Sequence, residues 1–155
     1  MKKAIVLLAC LLMSVCAFGD YTIFVPLPTT QAFDHAFVHI TVPTEIGIAL
    51  SPAELLGCES SAGRTTRHYR IESAATLTMH TESDNPLDIP APDIAIDYAS
   101  APQDANCDGR VNILDLIYIR NRLGSDVSTN RNAAADVNRD GKVDVLDLLV
   151  VRNAL

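Results

Sequence analysis

The sequence predicts an α+β protein in which a small antiparallel β-sandwich-like domain precedes an all-α domain of two loop-helix repeats. Residues 20–98 contain short runs that alternate apolar and polar side chains and are separated by proline and glycine, as in β-strands joined by turns. Residues 104–155 contain one acidic loop twice, each time followed by an apolar segment of helical length. An N-terminal segment typical of export places residues 1–19 outside the folded protein.

The first 19 residues have the three parts of a secretory signal peptide. Two lysines follow the initiator methionine, residues 4–15 are almost entirely apolar, and residues 17–19 offer small side chains where a signal peptidase reads them. Because the apolar run is too short for a membrane anchor, we expect a secreted chain that begins at Asp20 and is not inserted in a membrane after cleavage. The alternatives are a lipoprotein signal ending in Cys10, or with a poorer match in Cys16, and a buried core helix.

The exported chain is strongly acidic. Removing Lys2 and Lys3 from the 12 basic residues leaves 10 against 19 acidic ones, a formal charge of −9. This charge excludes nucleic acid and anionic membranes as favoured partners. The chain has no tryptophan and few other aromatic residues to stack on sugars, so a carbohydrate-binding module is an alternative rather than the leading interpretation.

Six short runs before the acidic loops predict β-strands. They cover residues 21–27, 36–42, 46–50, 68–71, 76–80 and 93–98. Prolines and glycines between them indicate turns, and residues 52–57 are typical of a short helical turn. Together the runs predict a β-sandwich-like domain over residues 20–98, joined to the C-terminal domain by a short linker at 99–103.

The histidines of the β-rich domain are the candidates for acid-base or metal chemistry. They are His35, His39, His68 and His80. The spacing of these histidines provides no third metal ligand, and no two carboxylates have the spacing of a catalytic pair. No nucleophile motif surrounds the serines. We therefore interpret these residues as surface or strand-pair histidines and predict that the chain is not an enzyme.

The two acidic loops carry the metal chemistry. A hard divalent cation takes six to eight oxygen ligands, and a 12-residue loop supplies them from positions 1, 3, 5, 9 and 12 and from the carbonyl of position 7, with glycine at position 6 for the turn. The predicted ligands of the first loop are Asp104, Asn106, Asp108, the carbonyl of Arg110, Asn112 and Asp115. Those of the second are Asp136, Asn138, Asp140, the carbonyl of Lys142, Asp144 and Asp147.

Two matching copies argue against simple solvated turns, and we expect two bound Ca²⁺ ions. Aspartate at position 12, where sensor loops have the longer glutamate, leaves the affinity open. Residues 104–123 and 136–155 form the repeat, loop then helix, because residues 99–103 cannot supply the entering helix of a full EF-hand.

This arrangement resembles the dockerin family, whose type I and type II members consist of two such repeats. The resemblance implies a small secreted adaptor that folds on binding two calcium ions and docks a cohesin on a scaffold or cell surface. It also assigns the partner-reading positions, which here are Ile113, Leu114, Arg120, Asn121, Val145, Leu146, Arg152 and Asn153. The apolar pairs favour a hydrophobic docking surface, and the similarity of the two repeats implies docking in two orientations.

Other uses of the apolar helices remain open. Each helix is apolar nearly all round, which requires a second buried face. That face packs either on an external partner or inside the protein. A further alternative is an extracellular structural or fibre subunit in which the calcium domain packs against a neighbouring subunit.

Two cysteines remain after signal removal, Cys58 and Cys107. In an exported protein a pair of cysteines indicates one disulfide, which here would join the β-rich domain to the first loop. Two free thiols are the alternative.

Overall fold

The computed structural model describes residues 34–80, 90–129 and 131–155, together with the backbone of residues 21–25. The predicted signal peptide, residues 1–19, lies outside the described residues. The described strands are β1 (Tyr21–Val25), β2 (His35–Pro43), β3 (Gly47–Ser51), β4 (Glu54–Ser61), β5 (Arg64–Ile71), β6 (Ala75–His80) and β7 (Asp93–Ala99). They are followed by α1 (Ile113–Arg120), a 3-10 helix (Asn132–Ala135) and α2 (Val145–Arg152). No helix within these ranges is long and apolar enough to cross a membrane.

The strands form two antiparallel sheets. One has three strands in the order β1-β6-β3, and the other has four in the order β4-β5-β2-β7. Alternate residues of β2, from Ala36 to Val42, point into a hydrophobic core that Leu50 of β3 and Leu77 of β6 also join. The core therefore lies between the two sheets, and burial of these apolar side chains stabilises the β-rich region.

The other face of β2 is buried as well. His35, Phe37 and His39 are 5%, 4% and 4% exposed, although they point away from the core between the sheets. Phe37 and His39 line a cavity of about 260 Å³ together with Cys107 and Tyr118 from the C-terminal region. The C-terminal region, residues 104–155, therefore lies on the outer face of the four-stranded sheet.

The expected all-α character of the C-terminal region is wrong. Helices α1 and α2 have eight residues each, and the remainder consists of loops, turns and the 3-10 helix. The acidic loops take up much of each repeat, and Asn121 and Asn153 end the helices as C-caps. A small core containing Ile119, Val143 and Val151 joins the two repeats.

The β-rich region also departs from the expected set of elements. Residues 54–61 form strand β4, where a helical turn at 52–57 was expected. Strand β4 pairs with β5, and Arg70 of β5 reaches the Glu54 carboxylate with its Nε at 3.0 Å. Cross-strand pairing thus overrides the local helical preference of this segment.

Candidate functional site

The first acidic loop, residues 104–115, folds its backbone N–H groups around its own side-chain oxygens. Asp108 N donates to Asp104 Oδ1 at 3.0 Å and to Asn106 Oδ1 at 2.9 Å. Gly109 N donates to Asp104 Oδ2 at 3.0 Å, and Arg110 N donates to Asp108 Oδ1 at 3.0 Å. The oxygens of positions 1, 3 and 5 are therefore held on the inner side of one short loop.

Asp115 at position 12 closes the first loop. Its side chain is completely buried, and it accepts hydrogen bonds from Asn106 N at 3.1 Å and from Asn112 N at 2.8 Å. Burial raises the pKa of this carboxyl above its ordinary value, and the nearby charges of Asp104 and Asp108 add to that effect. A cation bound in the loop would offset this unfavourable burial of negative charge.

The side chains at position 9 begin the helices. Asn112 Oδ1 accepts a hydrogen bond from Leu114 N at 2.8 Å, and Asp144 Oδ1 accepts one from Leu146 N at 2.7 Å. Each residue forms a capping box with the aspartate at position 12. These two predicted ligands therefore orient the helix that follows the loop, and position 9 commonly reaches an ion through water.

The second loop, residues 136–147, repeats the hydrogen bonds of the first. Asp140 N donates to Asp136 Oδ1 at 3.1 Å and to Asn138 Oδ1 at 2.9 Å. Gly141 N donates to Asp136 Oδ2 at 2.9 Å. Asp147 is completely buried, and its oxygens accept from the backbone of Asn138 at 3.1 Å and of position 9 at 2.8 Å.

Both loops fit a hard divalent cation. Gly109 and Gly141 at position 6 have φ values of +87° and +84°, a left-handed conformation that glycine adopts without strain. The predicted ligands at position 7 are the backbone carbonyls of Arg110 and Lys142. In the described ranges, no group of three His, Cys, Asp or Glu side chains is placed to hold a metal ion. Each predicted ligand set also includes amide and carbonyl oxygens, which Ca²⁺ accepts.

Three apolar side chains near the start of each helix are exposed to solvent. In α1 they are Ile113 at 59%, Leu114 at 51% and Ile117 at 43%, and in α2 they are Val145 at 61%, Leu146 at 48% and Leu149 at 44%. The opposite face of each helix is buried, with Ile119 and Val151 in the small core. The packing within the chain thus leaves one apolar face of each helix uncovered.

The polar residues predicted to read a partner lie at the other end of the same helices. Arg120, Asn121, Arg152 and Asn153 are all exposed. The backbone N–H groups of the two asparagines close the helices by donating to Ile117 O at 3.1 Å and to Leu149 O at 3.0 Å. All eight predicted partner-reading residues are therefore on the surface.

The comparison with protein families bears on this region alone. Residues 102–155 (the dockerin region) match the Dockerin type I domain. The match corrects the recognition made from the sequence, which left type I and type II undecided and began the domain at Asp104. The β-rich region is not recognised, and neither a curated protein nor a solved structure matches the chain. Dockerin domains are generally calcium-binding and bind cohesin domains.

The expected disulfide between the β-rich region and the dockerin region does not form. Cys58 and Cys107 are both free thiols. In the strand register Cys58 of β4 is opposite Arg67 of β5, and Arg67 is opposite Ile40 of β2. The side chain of Ile40 lies in the core between the sheets. Cys107 instead lines the cavity beside His39 on the outer face of the sheet. The two sulfur atoms therefore lie on opposite faces of one sheet, which prevents them from bonding.

The contact between the sheet and the dockerin region is the part of the site that sequence reasoning missed. Arg131 Nη1 lies 3.0 Å from Asp97 Oδ2 of β7. A Cβ atom added to Gly57 would lie 2.6 Å from the Cα of Ser128. Gly57 therefore permits a backbone approach that any other residue would block.

Position 4 of each loop faces the β-rich region. Cys107 and Arg139 occupy this position, and both have left-handed backbone with φ of 56° and 62°. Burial raises the pKa of the Cys107 thiol to about 12, with the Asp104 charge as a further cause. Arg139 extends towards two carboxylates, Glu72 at 3.6 Å and Asp34 at 4.0 Å. The thiol is therefore neutral in this interface.

Proposed function

We propose that this chain is a secreted, non-catalytic adaptor whose dockerin region binds two Ca²⁺ ions and docks a cohesin-like partner on a scaffold or cell surface. The observation that carries the proposal is the matched pair of exposed apolar faces on α1 and α2. Contiguous exposed apolar side chains on a small protein mark interaction sites. Secretion rests on the signal-like residues 1–19, and the family supports it because dockerin proteins are typically extracellular.

The ions would be held by the predicted oxygen ligands of the two loops. The first loop contributes three carboxylates and the second four. Without an ion these carboxylates repel one another across short distances, and the burial of Asp115 and Asp147 is costly. When bound, Ca²⁺ supplies the positive charge and the coordination that hold each loop closed. The capping residues Asn112 and Asp144 then fix the direction of the helices that present the docking faces.

The docking faces have the composition of a protein interface. Ile113 and Leu114 in α1, and Val145 and Leu146 in α2, form the apolar centre. The arginines and asparagines at the helix ends provide a polar rim, and an arginine rim suits a partner with surface carboxylates. Because the two faces are exposed to nearly equal extents, we expect that each can occupy the same groove of a partner, giving two orientations.

Calcium-dependent capture of a cohesin panel tests the docking. Replacing Leu114 and Leu146 together by Asp should weaken capture by roughly 30-fold or more, because a charge would be buried at the centre of the interface. The matched control is Leu55→Asp, which changes a leucine that is 55% exposed on β4. We expect this control to bind normally. Capture that persists in chelator, or that tolerates the double substitution, would exclude the proposed docking surface.

Single-face variants test the two orientations. Substituting Ile113 and Leu114 alone, or Val145 and Leu146 alone, should each leave capture within about a factor of two, because the other face remains. Substituting all four should abolish it. If either pair alone abolishes capture, only one orientation is used.

A further inference from the structure

Two buried histidines meet on the outer face of the four-stranded sheet, under the dockerin region. His39 of β2 and His68 of β5 are direct register partners, and they are 4% and 3% exposed. Their Nδ1 atoms lie 2.7 Å apart. At this separation one Nδ1 carries a hydrogen and donates it, and the other presents its lone pair. The two rings therefore cannot both be fully protonated without losing this hydrogen bond.

Each ring has a carboxylate beside its second nitrogen. His39 Nε2 lies 3.3 Å from Asp97 Oδ2, and His68 Nε2 lies 3.3 Å from Glu59 Oε1. Neither Nε2 makes a well-directed hydrogen bond, so the carboxylates act mainly by charge. An Nε2 lone pair facing a carboxylate would be repelled, which favours a proton on both Nε2 atoms. Together with the shared Nδ1 proton this makes three protons on two rings, one imidazolium beside one neutral imidazole.

Asp97 links this pair to the dockerin region. Its Oδ2 lies 3.0 Å from Arg131 Nη1 as well as 3.3 Å from His39. The His39 side chain, and also the Arg131 guanidinium, lower the pKa of the Asp97 carboxyl, which keeps it charged. Arg131 lines both cavities that flank His39. A row of charged groups therefore runs from Glu59 on the edge strand across the sheet to the segment between the repeats.

The charges around the pair balance when it holds one added proton. The titratable and charged groups that face it are Glu59 of β4, Asp93 and Asp97 of β7, Arg131 between the repeats, and Cys107, Tyr118 and Arg122 of the dockerin region. Burial raises the pKa of both the thiol and the tyrosine hydroxyl, so these two are neutral. Three carboxylates then face two guanidiniums and one imidazolium, and a second proton on the pair leaves an uncompensated positive charge.

We propose that His39 and His68 form an acid-sensitive latch: with one added proton the pair holds the dockerin region on the sheet, and a second proton releases it. The second proton removes the acceptor nitrogen between the rings and places two imidazolium groups in contact. The guanidinium of Arg131 then repels both rings. Its ion-pair partner, Asp97, also contacts His39. Release would separate the segment around Arg131 from the outer face of the sheet.

The direction of the pH dependence follows from proton uptake. Burial, and then the neighbouring His39, lower the pKa of His68 in the closed state. The open state, with ordinary histidines, therefore binds more protons than the closed state when the pH falls below about 6.5. The closed arrangement, which holds one added proton, is therefore most stable near that pH. As the pH falls further it is lost, by up to about tenfold per pH unit for one proton.

The two native thiols report the opening. Cys107 is partly buried in the contact, whereas Cys58 is exposed on β4 and serves as an internal reference. The reduced full chain in excess calcium is labelled briefly with a maleimide between about pH 8 and about pH 5, on either side of the histidine pKa. The labelling ratio of Cys107 to Cys58 cancels the ordinary pH dependence of thiols. We expect this ratio to rise below about pH 6.5, approaching tenfold per pH unit.

Histidine variants decide whether the pair causes this dependence. His68→Gln and His39→Gln each remove one ring, so the pH dependence of the ratio should disappear. The control His80→Gln changes a histidine of the three-stranded sheet and should preserve it. A ratio that is flat in the unmodified chain, or a pH dependence that survives both substitutions, would overturn the latch. No partner is present, so the outcome is independent of cohesin docking.

Nuclear magnetic resonance of the ring nitrogens provides a second measurement on the unmodified chain. We expect three ring protons on the pair at neutral pH, and a fourth that appears together with the rise in Cys107 labelling. Two rings that titrate independently, each near the ordinary histidine pKa of about 6.5, would contradict the proposal even if the variants do not fold.

Discussion

The two acidic loops share an internal geometry but have different surroundings. Corresponding hydrogen bonds from backbone N–H groups to side-chain oxygens differ by at most 0.1 Å between residues 104–115 and 136–147. Asp104 is nevertheless 1% exposed, and its Oδ2 accepts two further bonds from Ser100, from N at 2.9 Å and from Oγ at 2.8 Å. The bonds described for Asp136 come from its own loop, and this residue is partly exposed.

The residue at position 4 shows the same contrast. Cys107 lies in the cavity between the sheet and the dockerin region, whereas the Arg139 side chain is 40% exposed and reaches its carboxylates at 3.6 Å and 4.0 Å. One loop is therefore anchored and the other solvated. Calcium affinity depends on both ligand charge and rigidity of the site. The first loop has the two additional hydrogen bonds from Ser100, and the second contains one more carboxylate.

Calcium withdrawal should have the largest effect. Removing the ions leaves the carboxylates of both loops unpaired, and we expect the dockerin region to lose several kcal/mol of folding free energy. Backbone resonances of α1 and α2 should collapse while those of β2 and β5 remain. We expect the solvated second loop to change at a higher free calcium concentration than the first. If the first loop is lost before the second, ligand charge affects calcium affinity more than rigidity does. Identical spectra with and without chelator would show that the fold does not depend on the metal.

Substitution of Gly57 should come next, because it disturbs the contact between strand β4 and the segment between the repeats. The added methyl group of Gly57→Ala would lie 2.6 Å from the Cα of Ser128, and relief of such overpacking costs roughly 1–3 kcal/mol. Thermal unfolding in excess calcium measures the loss. The matched control is Gly47→Ala, whose methyl group would lie an ordinary 3.6 Å from the Cβ of His80. Equal stability of the two variants would contradict a close contact at Gly57.

Ser100→Ala should have the smallest effect and isolates one anchoring bond. Loss of the hydroxyl that donates to Asp104 at 2.8 Å should cost about 1 kcal/mol, or about fivefold in the calcium affinity of the first loop. Calcium titration followed by the resonances of each loop measures both sites in one molecule. The second loop is the internal control and should not change. A change of similar size in both loops would mean that Ser100 acts on overall stability.

Local features of the dockerin region were readable from the sequence because they depend on short spacings. The turn at Gly109, the cap at Asn112 and the closing carboxylate of Asp115 all lie within one loop, and the structure describes the hydrogen bonds that connect them. Strand β4 could not be predicted from the local sequence. Its segment begins with residues of good helical propensity, and only the ladder with β5 makes it a strand.

The same distinction separates what the sequence alone determined from what only the tertiary structure decided. The spacing of oxygen-bearing side chains, the turn glycines and the helix caps follow from residues a few positions apart, because local hydrogen bonds set them. The pairing of His39 with His68, 29 residues away, follows from strand register instead. Which apolar helix face remains exposed depends on the core that joins the two repeats. Why Cys58 and Cys107 do not meet, and how the first loop is anchored, depend on how the dockerin region packs on the sheet. These are long-range contacts, which no local pattern encodes.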